Sequence, residues 1–236
     1  MRYLFPEDIV EWGFLGYFLR GKDVGGFFVI LITAFLAVSA IAYFCGSINT
    51  AILISKKIYG YDIRDYGSGN AGMTNMFRSF GKKAGFLTLV GDSLKALISV
   101  VIGFFILGGP GQYIAGFFCM LGHVFPAYFH FKGGKGVIVS AITVLLIDPL
   151  VFLVLAALFA LMFFATQIIS ASSITAAFFY PLVVYAFNMR KPSPIYLIFS
   201  LFMAFFVIAM HKENIHRMIN KTEKKFTIRK SDKKKK

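Results

Sequence analysis

Charge is scarce in this sequence, and acidic charge is scarcest. Only 15% of the 236 residues are charged, and Asp plus Glu number 11 against 25 Lys plus Arg. An average soluble domain carries about 25% charged residues. So few carboxylates leave no aspartate cluster of the kind that holds catalytic metals in CDP-alcohol phosphotransferases. The two cysteines, Cys45 and Cys119, sit far apart in apolar runs and imply neither a disulfide framework nor a metal site. The four histidines have no zinc spacing. The fifth residue after each is Tyr128, Lys135, His216 or Lys221, which excludes an H-x-x-x-x-D acyltransferase box. A G-x-S-x-G nucleophile elbow is missing too. No internal repeat is evident, which weakens an inverted-repeat transporter reading.

What fills the chain instead is apolar side chain: 58% of residues, with a mean hydropathy of +0.72. A water-soluble core of this size cannot hide that much, so lipid is the expected solvent. Seven apolar stretches run roughly over 27–58, 83–107, 111–130, 137–147, 149–166, 168–187 and 194–210. The fourth is short for a span, and the breaks around it are thin, marked by Asp148-Pro149 and Thr166-Gln167. The expected fold class is an all-α polytopic membrane protein of about seven transmembrane helices. Residues 1–26 read as an N-terminal extension, amphipathic and outside the cytoplasm. Residues 27–226 read as one membrane domain, and 227–236 as a disordered basic tail. Glu7, Asp8 and Glu11 interrupt any signal-peptide core.

Basic residues set the topology. The connections around 59–82 and 131–136 and the tail fall on one side of a seven-span chain, which the positive-inside rule makes cytoplasmic. From His211 onward the chain holds eleven Lys or Arg against three acidic residues. That run has one aromatic residue, Phe226, and no nucleic-acid module, so nucleic acid is not expected; it reads either as a topology signal with a disordered end or as a surface for anionic membrane lipids. Arg190 and Lys191 fall on the outer side and dissent.

Polar residues collect in three segments on that side, a functional signal beside membrane helices. In the first, Gly67, Gly69 and Gly72 let backbone N–H groups approach an anion, while Ser68, Asn70, Thr74 and Asn75 add uncharged donors. Arg78 can fork onto a phosphate. The same stretch matches G-x-G-x-x-G, but it lacks the preceding strand and soluble βαβ unit that a dinucleotide fold requires. In the second, Gly133, Gly134 and Gly136 surround Lys135 ahead of a helix start at Val137, a favourable place for an anion. It is not a Walker A loop, because Gly136 stands where Ser or Thr is needed. In the third, His211, Asn214 and Arg217 share a helix face. Within the spans, Asp92 and Lys95 are placed to pair, and Ser170, Ser172 and Ser173 either face the bundle interior or bond back to their own helix.

Taken together, these segments resemble the bacterial acyl-phosphate:glycerol-3-phosphate acyltransferase family, often called PlsY. The resemblance runs from Ala42 to Phe226. It is carried by Asp62-Ile63-Arg64 through Arg78, by Gly81 to Gly85, by Asp92 with Lys95, by His123, Phe125 and Pro126, by Phe131 to Val137, and by His211, Asn214, Ile215 and Arg217. Asn49, Ile138-Val139, Gln167 and Lys221 depart from the family's usual residues. The resemblance implies a seven-helix membrane fold and transfer of a fatty acyl group from acyl phosphate to the 1-hydroxyl of glycerol 3-phosphate. No cofactor or metal is implied. An acyl phosphate is already activated, so direct attack without a covalent intermediate is expected. The glycine loop with Arg78 is expected to hold one phosphate, and Lys135 with the Gly133-Gly134 backbone the other. Ser68, Asn75 and Asn214 are candidate donors to developing charge. Either His211 or a substrate phosphate oxygen takes the proton. Ser173 and Arg217 are further candidate contacts, with Glu223 orienting either Arg217 or Lys224. The rival class is a small transporter of a phosphate-bearing solute.

Overall fold

The structure is a computed structural model and describes residues 13–19, 23–188 and 194–226. Among these residues every regular element is helical. They are α1 (Leu15–Leu19), α2 (Val24–Ser47), α3 (Thr50–Tyr59), α4 (Met73–Phe80), α5 (Lys82–Val124), α6 (Val137–Ile147), α7 (Pro149–Thr166), α8 (Ile169–Asn188), α9 (Pro194–Ala209) and α10 (Lys212–Ile219), with short 3-10 turns at Ile63–Asp65 and Ala127–Phe129.

The stretch expected over 27–58 is two helices. Asn49 breaks it: buried and extended, it caps α3 by accepting from the Ile52 N–H at 3.0 Å and donates to the Ala71 carbonyl at 3.3 Å. The long helix before it starts at Val24, three residues inside the expected extension. Asp23 caps that start through the Gly26 N–H. Residues 1–12 and the tail 227–236 lie outside the described residues, as do Arg190 and Lys191.

α5 is the organising element. Its 43 residues are two helices joined at Gly108, whose φ of 64° and ψ of −145° suit glycine alone. The chain reverses there. Gly103 comes against Gly111 and Ala115, and Lys95 on the outgoing arm meets His123 on the returning arm. The gap between the expected stretches 83–107 and 111–130 is this turn. Phe14 donates its N–H to the Phe105 carbonyl at 2.7 Å, so α1 packs beside the reversal.

The thin breaks are also real. Asp148 caps α7 by accepting from Leu150 and Val151, with Pro149 in the first turn, where its missing N–H costs nothing. Gln167 ends α7 in the left-handed region. Among the described residues, four helical stretches qualify as membrane spans by length and composition (α2 with α3, α5, α7 and α8), and α9 with α10, bent by 56°, adds a fifth. α5 counts once in that tally although it runs both ways. α6, at 11 residues, is about 16 Å long, half the thickness of a bilayer core. Val38, Cys119, Met120, Val139, Val151, Val184 and Met203 form the core between helices. Phe28, Leu161, Phe164 and Phe205 face outward, as lipid-facing side chains do.

Candidate active site

The three polar segments meet at one end of the bundle and are tied together by hydrogen bonds. Asp62 accepts from Arg64 Nη2 at 2.8 Å and from Lys56 Nζ at 3.0 Å. The Arg64 hydrogen bond holds the Asp62 carboxyl well below its usual range, against the opposing effect of burial. Arg64 in turn donates to the carbonyls of Phe129 at 2.9 Å and Lys132 at 3.3 Å, binding the first segment to the second. Arg78 donates to the Lys224 carbonyl at 3.0 Å, binding the first to the third.

Between the segments lies a cavity of about 800 Å3. Thirteen of the sixteen candidate residues line it: Gly67, Ser68, Asn70, Gly72, Thr74, Asn75, Arg78, Lys135, Ser173, His211, Asn214, Arg217 and Glu223. Gly69, Gly133 and Gly134 do not. Their role is different from the one expected. The N–H groups of Gly133 and Gly134 already donate to the carbonyls of Val124 and His123, at 3.1 and 3.0 Å. What these positions require is the absence of a side chain: a Cβ on Gly134 would lie 2.1 Å from His123 Nε2, and one on Gly133 would lie 2.0 Å from the His123 carbonyl oxygen. They let the loop lie flat on the end of α5 and so aim Lys135.

The glycine loop of the first segment is likewise occupied by its own scaffold. Gly67 and Gly69 have φ of 62° and 71°, the left-handed turn expected of glycine. Gly69 and Gly72 donate to the carbonyls of Tyr66 and Asn70. Ser68 donates its N–H to Asn75 Oδ1 at 3.0 Å. Buried Asn75 spends its amide hydrogens on the carbonyls of Ile63, Tyr66 and Asn70. It therefore holds the loop's shape, where a free donor to reaction charge was expected.

Anion-binding capacity comes from two helix N-termini. α4 starts after Gly72 and α6 after Gly136, and no side chain caps either. Their first residues, Met73, Thr74, Val137 and Ile138, line the cavity, so the positive ends of both helices face it. The cations Arg78, Lys135 and Arg217 stand around the same space. Burial, with the nearby charge of Arg217, lowers the Lys135 pKa to about 8. Burial also lowers that of Arg78.

Glu223 is the acidic hub. It accepts from Arg217 Nε and Asn214 Nδ2 at 2.6 Å each and from Ser170 Oγ at 2.8 Å. Burial pushes its carboxyl up, but these hydrogen bonds outweigh burial and leave it below the usual range. Asn214 passes the connection on by accepting from Lys135 Nζ. His211, 3% exposed, has Nδ1 2.6 Å from the Val207 carbonyl. That contact needs a proton on Nδ1 and leaves the Nε2 lone pair available. Ser173 returns its hydroxyl to the Ile169 carbonyl at 2.9 Å while facing the cavity.

Behind this polar end sit residues that sequence reasoning left out of the site. Asp92 and His123 line the cavity wall. Lys95 Nζ lies 2.9 Å from Asp92 Oδ1 and 2.8 Å from His123 Nδ1, and it donates to the carbonyls of Gly46 and Ile48. The Asp92–Lys95 pair was readable from spacing; His123 joins it only because α5 reverses. Ser170, visible as one of three serines, gave no sign of its tie to Glu223. Away from the polar end the cavity becomes apolar, walled by Val144, Phe152, Leu155, Ala177 and Met203.

A helical membrane body with cations and helix N-termini at the head of a cavity and an apolar channel beneath can hold a phosphate and a hydrocarbon chain at once, as an integral membrane acyltransferase must. The glycerol-3-phosphate acyltransferase family profile matches residues 36–221. A glycerol-3-phosphate acyltransferase of Bacillus subtilis is 39% identical, covering 78% of this chain and 94% of its own. One from Trichlorobacter lovleyi is 42% identical over the same shares. The crystal structure of PlsY (YgiH) in its glycerol 3-phosphate form superposes with a TM-score of 0.75 at 32% identity, covering 82% of this chain and 96% of that one. Its lysophosphatidic acid form gives 0.72. The chain belongs to the glycerol-3-phosphate acyltransferase family.

Proposed function

We propose that this protein transfers a fatty acyl group from acyl phosphate to the 1-hydroxyl of glycerol 3-phosphate, giving lysophosphatidate and inorganic phosphate. The observation that carries this reading is the single cavity in which Arg78, Lys135, Arg217 and two uncapped helix N-termini face one carboxylate that is not otherwise neutralised, Glu223, with an apolar channel continuing below. With Lys224, which also lines the cavity, four cations stand against that one carboxylate, an excess of positive charge that favours phosphate. The related PlsY structures are a glycerol 3-phosphate form and a lysophosphatidic acid form, which supports the acceptor and the product.

The hydroxyl oxygen attacks the acyl carbonyl carbon, the carbonyl re-forms, and the bond to the phosphate oxygen breaks. Holding both substrates in one chamber supplies much of the rate. Lys135, Arg78 and the helix N-termini neutralise the charge that grows on the departing phosphate and the carbonyl oxygen. Asn75 and the glycines 67, 69, 133 and 134 position these groups. Glu223 sets Arg217 and Asn214, and through Asn214 it sets Lys135. The hydroxyl proton passes to His211 Nε2 or to a phosphate oxygen. We assign the protein to the bacterial cytoplasmic membrane with seven crossings, the site and the C-terminus on the cytoplasmic side, because the basic segments and the cavity share one end.

The test is lysophosphatidate formation by the purified protein in a lipidic medium from palmitoyl phosphate and glycerol 3-phosphate. Lys135→Ala is expected to lower kcat/KM by about two to three orders of magnitude. His211→Ala in the same assay decides the base, since near-normal kcat assigns the proton to the phosphate. No product from folded wild type with acyl phosphate or acyl-CoA would discard the reaction and favour phosphate-solute transport.

A further inference from the structure

The reaction above uses the polar end of the cavity; its far end has a construction of its own. On α8 the cavity-facing positions are Ile169, Ser170, Ser173, Ala176, Ala177 and Tyr180, the stripe of one helix face. Beyond Ile169 the side chains stay small until Tyr180 closes the stripe. Tyr180 is 4% exposed and meets Tyr196 edge-on, with ring centroids 6.3 Å apart. Tyr196 stacks on Tyr113 at 5.3 Å, and Phe199 packs on Tyr113 at 5.3 Å. Tyr180 rests on Tyr196, which rests on Tyr113, so packing on that side resists retreat of the ring away from the cavity.

We propose that Tyr180, backed by Tyr196 and Tyr113, is the floor of the acyl channel and sets the length of chain the protein accepts. This rests on the acyl-transfer reading above. Tyr180 lies eleven residue steps after Ile169 on α8, about 16 Å along the axis. An extended hydrocarbon advances roughly 1.3 Å per carbon, given carbon–carbon bonds of ~1.5 Å at near-tetrahedral angles. About a dozen carbons therefore fit between the level of Ile169 and the ring. A longer chain must fold back or emerge between helices, losing the burial of its last methylenes. Each methylene is worth roughly a fourfold change in kcat/KM.

Two substitutions should move the preference in opposite directions. Tyr180→Ala removes the floor. Ala176→Phe raises it by one helical turn. Wild type and both variants are assayed in lipidic medium with dodecanoyl, tetradecanoyl, hexadecanoyl and octadecanoyl phosphate. The quantity read is the ratio of kcat/KM for octadecanoyl to that for tetradecanoyl phosphate within each preparation, which is independent of the fraction of protein that is folded. Tyr180→Ala is expected to raise this ratio about tenfold; Ala176→Phe, assayed beside wild type with decanoyl phosphate as well, is expected to lower the dodecanoyl-to-decanoyl ratio by a similar factor, because both of those chains fit above the wild-type floor. An unchanged ratio, or equal loss at every chain length including complete loss, overturns the floor and leaves acyl transfer standing. Absence of product from wild type with every donor overturns acyl transfer itself, and the floor with it.

Discussion

In the proposed reaction Lys135 carries much of the chemistry, and its environment makes it sensitive to pH. Burial lowers its pKa to about 8, so the ammonium loses its proton as pH rises through that value. A neutral amine does not hold a phosphate oxygen as a cation does. The kcat/KM for glycerol 3-phosphate is therefore expected to fall above about pH 8, because that ratio reports groups of the free enzyme. Lys135→Arg, charged at every working pH, should have a lower plateau without the fall; a fall that persists in the variant would assign it to another group. The choice of Lys135 was legible from its spacing among glycines and before a helix start. The work of those glycines was not. Sequence suggests open N–H groups, and only coordinates reveal that Gly133 and Gly134 donate to the end of α5 and are small because His123 lies against them. Asn75 is a similar case: its residue type promises a donor, and its burial against three loop carbonyls makes it a brace.

Among the elements, α5 decides whether the site exists, because its reversal at Gly108 carries His123 back to Lys95. The φ and ψ of Gly108 lie where a side chain is strained. Gly108→Ala is expected to cost about 1–3 kcal/mol, read as a lower unfolding temperature in detergent, with the same residual substrate preference in the folded fraction. An unchanged unfolding temperature would mean that the turn relaxes freely. The reversal was half legible: two apolar stretches separated by Gly108, Gly109 and Pro110 announce a break, but the pairing across it depends on which helix faces meet. The break at Asn49 was hidden, since one polar residue in a run of apolar ones leaves the hydropathy high. Its signal was the capping residue type. The short α6 was legible from its length.

The whole molecule is a chamber with two different walls. Its head is built from loop segments, helix ends and basic side chains; its lower part is built from the inward faces of α6, α7, α8 and α9. Composition alone pointed to lipid as its surroundings, and the three polar segments pointed to chemistry at one end. That they would share a single cavity was not legible, because the contacts joining them, Arg64 to Phe129 and Arg78 to Lys224, span 65 and 146 residues of sequence. In the proposed reaction this two-walled chamber draws its substrates from different phases. Glycerol 3-phosphate is counted per litre of water, but the acyl donor is counted per area of bilayer. The saturation constant for the donor should then be a mole fraction. Adding inert phospholipid at fixed total donor is expected to slow the reaction, whereas adding buffer at a fixed donor-to-lipid ratio and fixed glycerol 3-phosphate concentration should leave the turnover per protein unchanged. The membrane would thus set the rate of acylation through how crowded it is with donor, so that supply of the hydrocarbon is sensed in two dimensions and supply of the headgroup in three.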